Sequence, residues 1–132
     1  MKLLPIITKL PFLKRFVPSL IRRIFMSLGK YDIDYNFKGI QLTLDIRDSL
    51  DRKILFSNEY EDQQISFLFN NLKKFNITHF IDVGANMGIY SLLIANKLDN
   101  IQISSFEPHP GVFKRLKKNI ELNNFSKNIQ AI

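Results

Sequence analysis

The stretch His79-Phe80-Ile81-Asp82-Val83-Gly84-Ala85-Asn86-Met87-Gly88 decides how this chain is read. Phe80, Ile81 and Val83 make a short apolar run with a single acid, Asp82, and read as a strand. Gly84 and Gly88 bracket a bend, and Ile89-Tyr90-Ser91-Leu92-Leu93-Ile94-Ala95 continues as a helix that is apolar on most sides. Glycine has no Cβ and reaches torsions that other residues avoid, so the chain turns sharply here and its backbone comes close to a ligand. Strand, glycine turn and helix together form the entrance to a nucleotide-type binding site.

Downstream, the helix runs to about Leu98 and Asp99-Asn100 make a turn. Ile101 to Phe106 reads as a second strand, ending at Glu107-Pro108-His109-Pro110. Pro110 suits a helix start, and Val112, Phe113, Leu116 and Ile120 form an apolar stripe opposed by the solvated cations Lys114, Arg115, Lys117 and Lys118. His109 belongs to that helix start rather than to catalysis. Asn123-Asn124 end the helix, and Asn128 to Ile132 begins a third strand.

This order is that of a half-Rossmann unit, in which right-handed crossovers make the strands parallel and ligands bind at their carboxyl ends. Asp82 lies near the carboxyl end of the first strand, and Glu107 closes the second strand 19 residues after Gly88. An acid at that spacing is placed to accept hydrogen bonds from ribose hydroxyls. Dehydrogenases show G-x-G-x-x-G, which admits a pyrophosphate at the helix N-terminus. Here the pattern is D-x-G-x-x-x-G, with Asn86 where the middle glycine would stand. An acid beside the turn repels a pyrophosphate and suits an ammonium or sulfonium group, which points to S-adenosylmethionine. An NAD(P)-binding oxidoreductase stays open as the alternative.

Upstream, Asn58 with Glu61 three residues on has the form of a capping pair opening a helix to about Phe75. Tyr60, Gln64, Phe67, Leu68, Leu72 and Phe75 fall near one face of it, widened by Ile65 and Phe69. Tyr60 and Glu61, at its start, are candidates to face the glycine turn. Residues 48–57 read as a short helix or turn. Before them, Tyr31, Ile33, Tyr35 and Phe37, then Ile40, Leu42, Leu44 and Ile46, alternate with polar residues across Lys38-Gly39. That is a β-hairpin, read as a structural flap.

Residues 1–30 are apolar and basic. Lys2, Lys9, Lys14, Arg15, Arg22, Arg23 and Lys30 all precede the first acid, Asp32. They are seven of 19 Lys and Arg, and the 12 that follow face 12 acids, so the net charge of +7 belongs to this segment alone. A nucleic-acid binder would carry its cations on the folded body, and that class is set aside. Cations and prolines interrupt any signal peptide, and no run approaches the roughly 20 apolar residues that span a bilayer. After Pro18, Ser19 caps a short helix whose face carries Leu20, Ile21, Ile24, Phe25 and Leu28, ended by Gly29. Packing that face on the domain is the preferred fate; lying on an anionic membrane surface is the other.

With 45% hydrophobic residues, 12 Phe and 132 residues in all, the chain builds one small core. The absence of Cys removes disulfides, zinc-thiolate sites and cysteine nucleophiles, and fits a cytoplasmic protein, peripheral at a membrane if residues 1–30 bind one. The organisation expected is a basic segment over 1–30, a hairpin and helical lead-in over 31–75, and half a Rossmann-like domain over 76–132. The fold class is α/β, an incomplete Rossmann-like parallel sheet preceded by the hairpin and N-terminal helices.

Asp82-Val83-Gly84-Ala85-Asn86-Met87-Gly88, then Phe106-Glu107-Pro108, then Leu116-Lys117-Lys118-Asn119-Ile120-Glu121-Leu122-Asn123 together resemble the FkbM-type methyltransferases, a class I family dependent on S-adenosylmethionine. Glu59-Tyr60-Glu61 resembles the segment before the family's first strand, and the resemblance spans about Ser49 to Ile132. It implies that Asp82, Gly84, Ala85, Asn86 and Gly88 shape the pocket for the methionine part, that Glu107 binds the ribose, and that Glu61 contributes more loosely. It also implies O-methylation of a sugar or another small hydroxylated metabolite. A class I sheet has seven strands and this sequence supplies two and the start of a third. The expectation is therefore a truncated chain with little or no activity alone, an open sheet edge at its last strand, and pairing with a missing C-terminal half. A non-enzymatic membrane-associated module built on residues 1–30 is a third reading.

Overall fold

The structure, a computed structural model, describes residues 13–132, with only the backbone for residues 13–15. The expectations for residues 1–12 lie outside the described residues. The chain divides into two compact units, one running up to Phe37 and resuming over Thr43–Tyr60, the other made of Lys38–Leu42 and Glu61–Ile132.

In the first unit, helix α1 (Leu13–Ser27) begins six residues before the Ser19 cap expected from the sequence and carries Pro18 inside it. Pro18 lies little more than one turn in, so its missing N–H removes just the bond to the carbonyl four residues back. Strands β1 (Asp32–Phe37) and β2 (Ile40–Asp45) form the expected hairpin. Lys38 at φ 49° and Gly39 at φ 93° make the turn, two positive torsions in succession, which match the right-handed twist of the strands. Alternation buries Ile33 and Phe37 on β1, and Thr43 joins the buried residues of β2 by donating to Asp34 Oδ1 at 3.1 Å.

Residues 49–57 are a helix, α2 (Ser49–Ser57), because Asp48 caps it by accepting from the amides of Leu50 and Asp51. Its Ile54, Leu55 and Phe56 are buried. Asn58 does not open the next helix, as its pairing with Glu61 predicted; it ends α2 in the left-handed conformation, its amide bonded to Ile54 O at 2.9 Å. Asparagine tolerates that conformation better than other non-glycine residues, and here the end of one helix uses it before the start of another can.

In the second unit, helix α3 (Asp62–Lys74) buries Ile65, Phe69 and Leu72 and leaves Phe67 and Phe75 exposed. The buried face thus follows Ile65-Phe69-Leu72 rather than the expected Phe67-Phe75 line. Strands β3 (His79–Val83), β4 (Gln102–Phe106) and β5 (Ile129–Ala131) form a parallel sheet in the order β3-β4-β5, with Asp82 beside Ser105 and Ile103 beside Ile129. Helices α4 (Ile89–Lys97) and α5 (Pro110–Leu122) make the crossovers. α4 is almost wholly buried, as its all-round apolarity requires.

β3 is the strand expected from the sequence, and its two faces differ. Phe80 and Asp82 face α4, but Ile81 and Val83 are 65% and 80% exposed on the opposite face. Among the described residues, β3 and the three-residue β5 are the edges of the sheet. Among the described residues no helix is long and apolar enough to cross a membrane. An open edge carrying exposed apolar residues favours association. Val83→Lys should therefore lower the concentration-dependent association of this 132-residue chain in light scattering; an unchanged profile would place the association elsewhere.

Candidate functional site

Two peptide amides fix the glycine turn to the neighbouring strand. Gly84 N and Ala85 N both donate to Phe106 O, each at 2.9 Å, where β4 ends. Gly88 N closes the turn on Ala85 O at 2.8 Å. The two glycines are required for different reasons. Gly84, at φ +77°, has nothing within 4 Å of where a Cβ would stand, so its need is conformational and the space over it is open. Gly88, at φ +91°, would place a Cβ 2.6 Å from Leu116 Cδ1, so it also allows α5 to approach. Ala85 and Met87 point inward and are buried, while Gly84 and Asn86 are exposed, Asn86 itself at φ 51°.

Acids stand around this turn. Asp82 is half-buried beneath it and accepts from Ser91 Oγ of α4 at 2.6 Å. Ser91 is in turn 2.8 Å from Ser105 Oγ on β4, and both serines are buried. Burial raises the Asp82 pKa above the ordinary carboxylate value, and the hydrogen bonds from Ser91 oppose that shift without cancelling it. Glu107 Oε2 accepts from Asn86 N at 3.0 Å and Oε1 from His109 N at 2.9 Å. A carboxylate has about four acceptor positions, so two backbone bonds leave Glu107 capacity for further donors. Glu61, in a left-handed conformation at φ 40° just before α3, accepts from Tyr90 O–H in the first turn of α4.

Asp82, Gly84, Ala85, Asn86, Gly88 and Glu107 therefore meet at the carboxyl ends of β3 and β4, and Tyr90 brings Glu61 to the start of α4. His109 caps α5, its Nδ1 accepting from Val112 N at 3.3 Å, which is the structural place that the sequence suggested.

Residues that the sequence reading did not place at the site complete the arrangement. Asn119 is fully buried on α5 and donates from Nδ2 to Met87 O at 2.9 Å, holding the turn from behind. Its signal was a polar residue set into the apolar stripe of Leu116 and Ile120. Asn123, one turn later, exchanges two 2.8 Å bonds with the backbone of Gln41 and so ties the β2 end of the hairpin to α5. Ser91 and Ser105 gave no signal, since small polar residues within apolar elements are common.

This sheet, with its glycine turn at the carboxyl end of the first parallel strand, has the class I methyltransferase fold. A structure described as a transferase of Pyrococcus horikoshii matches 92% of this chain and 49% of its own at TM-score 0.55 and 22% identity. M. jannaschii TYW2, solved in complex with AdoMet (S-adenosylmethionine), matches 77% of this chain and 42% of its own at TM-score 0.52 and 17% identity. In sequence, Methyltransferase sdnD of Sordaria araneosa is 35% identical over 52 residues, which are 39% of this chain and 20% of that protein. No family model matches the chain. The chain is thus methyltransferase-like in fold and, over that segment, in sequence; it spans about half or less of each of these relatives.

Asn119→Leu keeps the helix and leaves the Met87 carbonyl without its buried donor, a change expected to cost about 1–3 kcal/mol. Urea unfolding checks this; an unaltered midpoint would mean that the turn does not depend on Asn119.

Proposed function

We propose that this chain provides the S-adenosylmethionine-binding part of an FkbM-like methyltransferase whose acceptor is a hydroxyl of a sugar or another small metabolite. The observation that carries the reading is an open glycine turn with one carboxylate beneath it and another at the end of the adjacent strand. The residues fit the cofactor. The free space over Gly84 admits a ligand against backbone, Asp82 complements an ammonium or sulfonium charge, and Glu107 has acceptor positions left for ribose hydroxyls. Ala85, Asn86 and Gly88 shape the turn, and Glu61 reaches its helix through Tyr90. When bound, the cofactor supplies an electrophilic methyl group on sulfur, and the chain's part is to hold and orient it. The likeness to a structure containing AdoMet supports the cofactor; the choice of a hydroxyl acceptor rests on the FkbM resemblance.

The oxidoreductase alternative requires a pyrophosphate beside Asp82, where two negative charges would face one another. Calorimetry on the chain should give heat with S-adenosylmethionine or S-adenosylhomocysteine and none with NAD or NADP; the reverse pattern would overturn the proposal.

Asp82 also sets a pH dependence. Its folded pKa is raised, so the stability it contributes is complete below the unfolded value and is lost as pH rises through the folded value. A cationic ligand needs the ionised form, so affinity rises over that same interval. Asp82→Asn keeps an acceptor for Ser91 and removes the charge. At neutral pH it should raise Tm while weakening S-adenosylmethionine binding by about tenfold or more, with the low-pH loss of affinity abolished. Unchanged affinity in this variant would remove Asp82 from the site.

A further inference from the structure

Among the described residues, helix α1 carries two apolar stripes, one half-buried and one exposed. Val17, Ile21 and Phe25, spaced four apart, are half-buried. One position away, Phe16 is 64%, Leu20 61% and Ile24 47% exposed, and Leu28, just beyond the helix, is 64% exposed. Residues four apart lie on one side of a helix, so Leu20 and Ile24, continued by Leu28, form an exposed strip. The sequence reading placed Leu20, Ile21, Ile24, Phe25 and Leu28 on one face; Ile21 and Phe25 are half-buried, and Leu20, Ile24 and Leu28 are exposed.

Around the strip the charge has one sign. Arg22 and Arg23 are exposed, Lys30 follows the helix, and no acid precedes Asp32 anywhere in the chain. A protein groove for this strip would have to supply an apolar floor and acidic walls together. An anionic bilayer surface offers both over any length, acyl chains for the strip and headgroup phosphates for the arginines. The helix has 15 residues, so it can lie in the interface plane without spanning it.

We propose that α1 docks this chain on an anionic membrane surface, with Leu20, Ile24 and Leu28 entering the acyl boundary and Arg22 and Arg23 at the phosphates. The proposal stands apart from the cofactor reading, since α1 contains none of the residues assigned to the glycine turn. It places the glycine-turn unit on a chain held at a lipid surface, where an acceptor soluble in water or presented from the membrane would be met.

The 132-residue chain should sediment with phosphatidylcholine vesicles containing phosphatidylglycerol, and not with phosphatidylcholine alone. Added salt should release it, because the phosphate contacts are screened. Leu20→Glu with Ile24→Glu changes two exposed positions, so helix content by circular dichroism should be kept while sedimentation falls to background. Arg22→Gln with Arg23→Gln should weaken binding to anionic vesicles by about tenfold or more. Equal sedimentation with both vesicle types, no sedimentation with either, or full binding by the double glutamate variant would each overturn the proposal. So would a solution dimer dissolved by that same variant, which would assign the strip to a second copy of the chain.

Discussion

The site depends on one carbonyl. Phe106 O receives the amides of both Gly84 and Ala85, so the end of β4 fixes where the turn after β3 begins. A carbonyl has two lone pairs, and using both on successive amides holds the two peptide planes rather than one. Glu107, the next residue, extends the same connection by taking the Asn86 amide. Three consecutive amides of the turn are therefore bound to two consecutive residues of the neighbouring strand. The acid that closes β4 is positioned by the turn it helps to form, so the two halves of the site cannot move independently.

α5 reinforces this from the other side through two asparagines one turn apart. Asn119 holds the Met87 carbonyl inside the core, and Asn123 pairs with both backbone groups of Gln41. Asparagine suits the task because its amide offers a donor and an acceptor on a short arm, and a buried polar group is tolerated when it is paired. Leu116, one turn before Asn119 in the stripe, brings its Cδ1 to 2.6 Å from where a Cβ on Gly88 would stand, so a side chain there would make the leucine shift. Backbone conformation, helix packing and polar pairing thus impose the same sequence on the turn.

Much of this was legible in the sequence because it rests on local rules. Gly84, Gly88 and the apolar α4 announce a strand-turn-helix, the Lys38-Gly39 turn announces the hairpin, and Pro110 announces α5. The misreadings occur where two local rules competed. Asn58 has the character of a helix opener and of a helix closer, and only the chain before it decides that it closes α2. Phe67 and Phe75 look like core residues by type, yet the spacing of Ile65, Phe69 and Leu72 takes the buried face. Ile81 and Val83 belong to an apolar run whose second face depends on long-range partners, which no local pattern reports. The Ser91–Asp82 pairing was hidden for the same reason, being a tertiary contact between residues ordinary in their own elements.

Among the described residues, two surfaces expose apolar side chains, and their chemistry separates what each can accept. The face of β3 and β4 away from α4 carries the exposed His79, Ile81, Val83 and Gln102 and the half-buried Ser104 and Phe106, without a lysine, arginine or acid, and ends at a strand edge. Unpaired strand amides and carbonyls need directional partners at fixed spacing, which another polypeptide supplies and a fluid lipid surface does not. α1 is the opposite case. A helix satisfies its backbone internally, so its strip asks for apolar contact without register, and the arginines beside it ask for negative charge without fixed geometry. The same contrast supports the lipid docking proposed for α1 and sets the β3 edge apart from it.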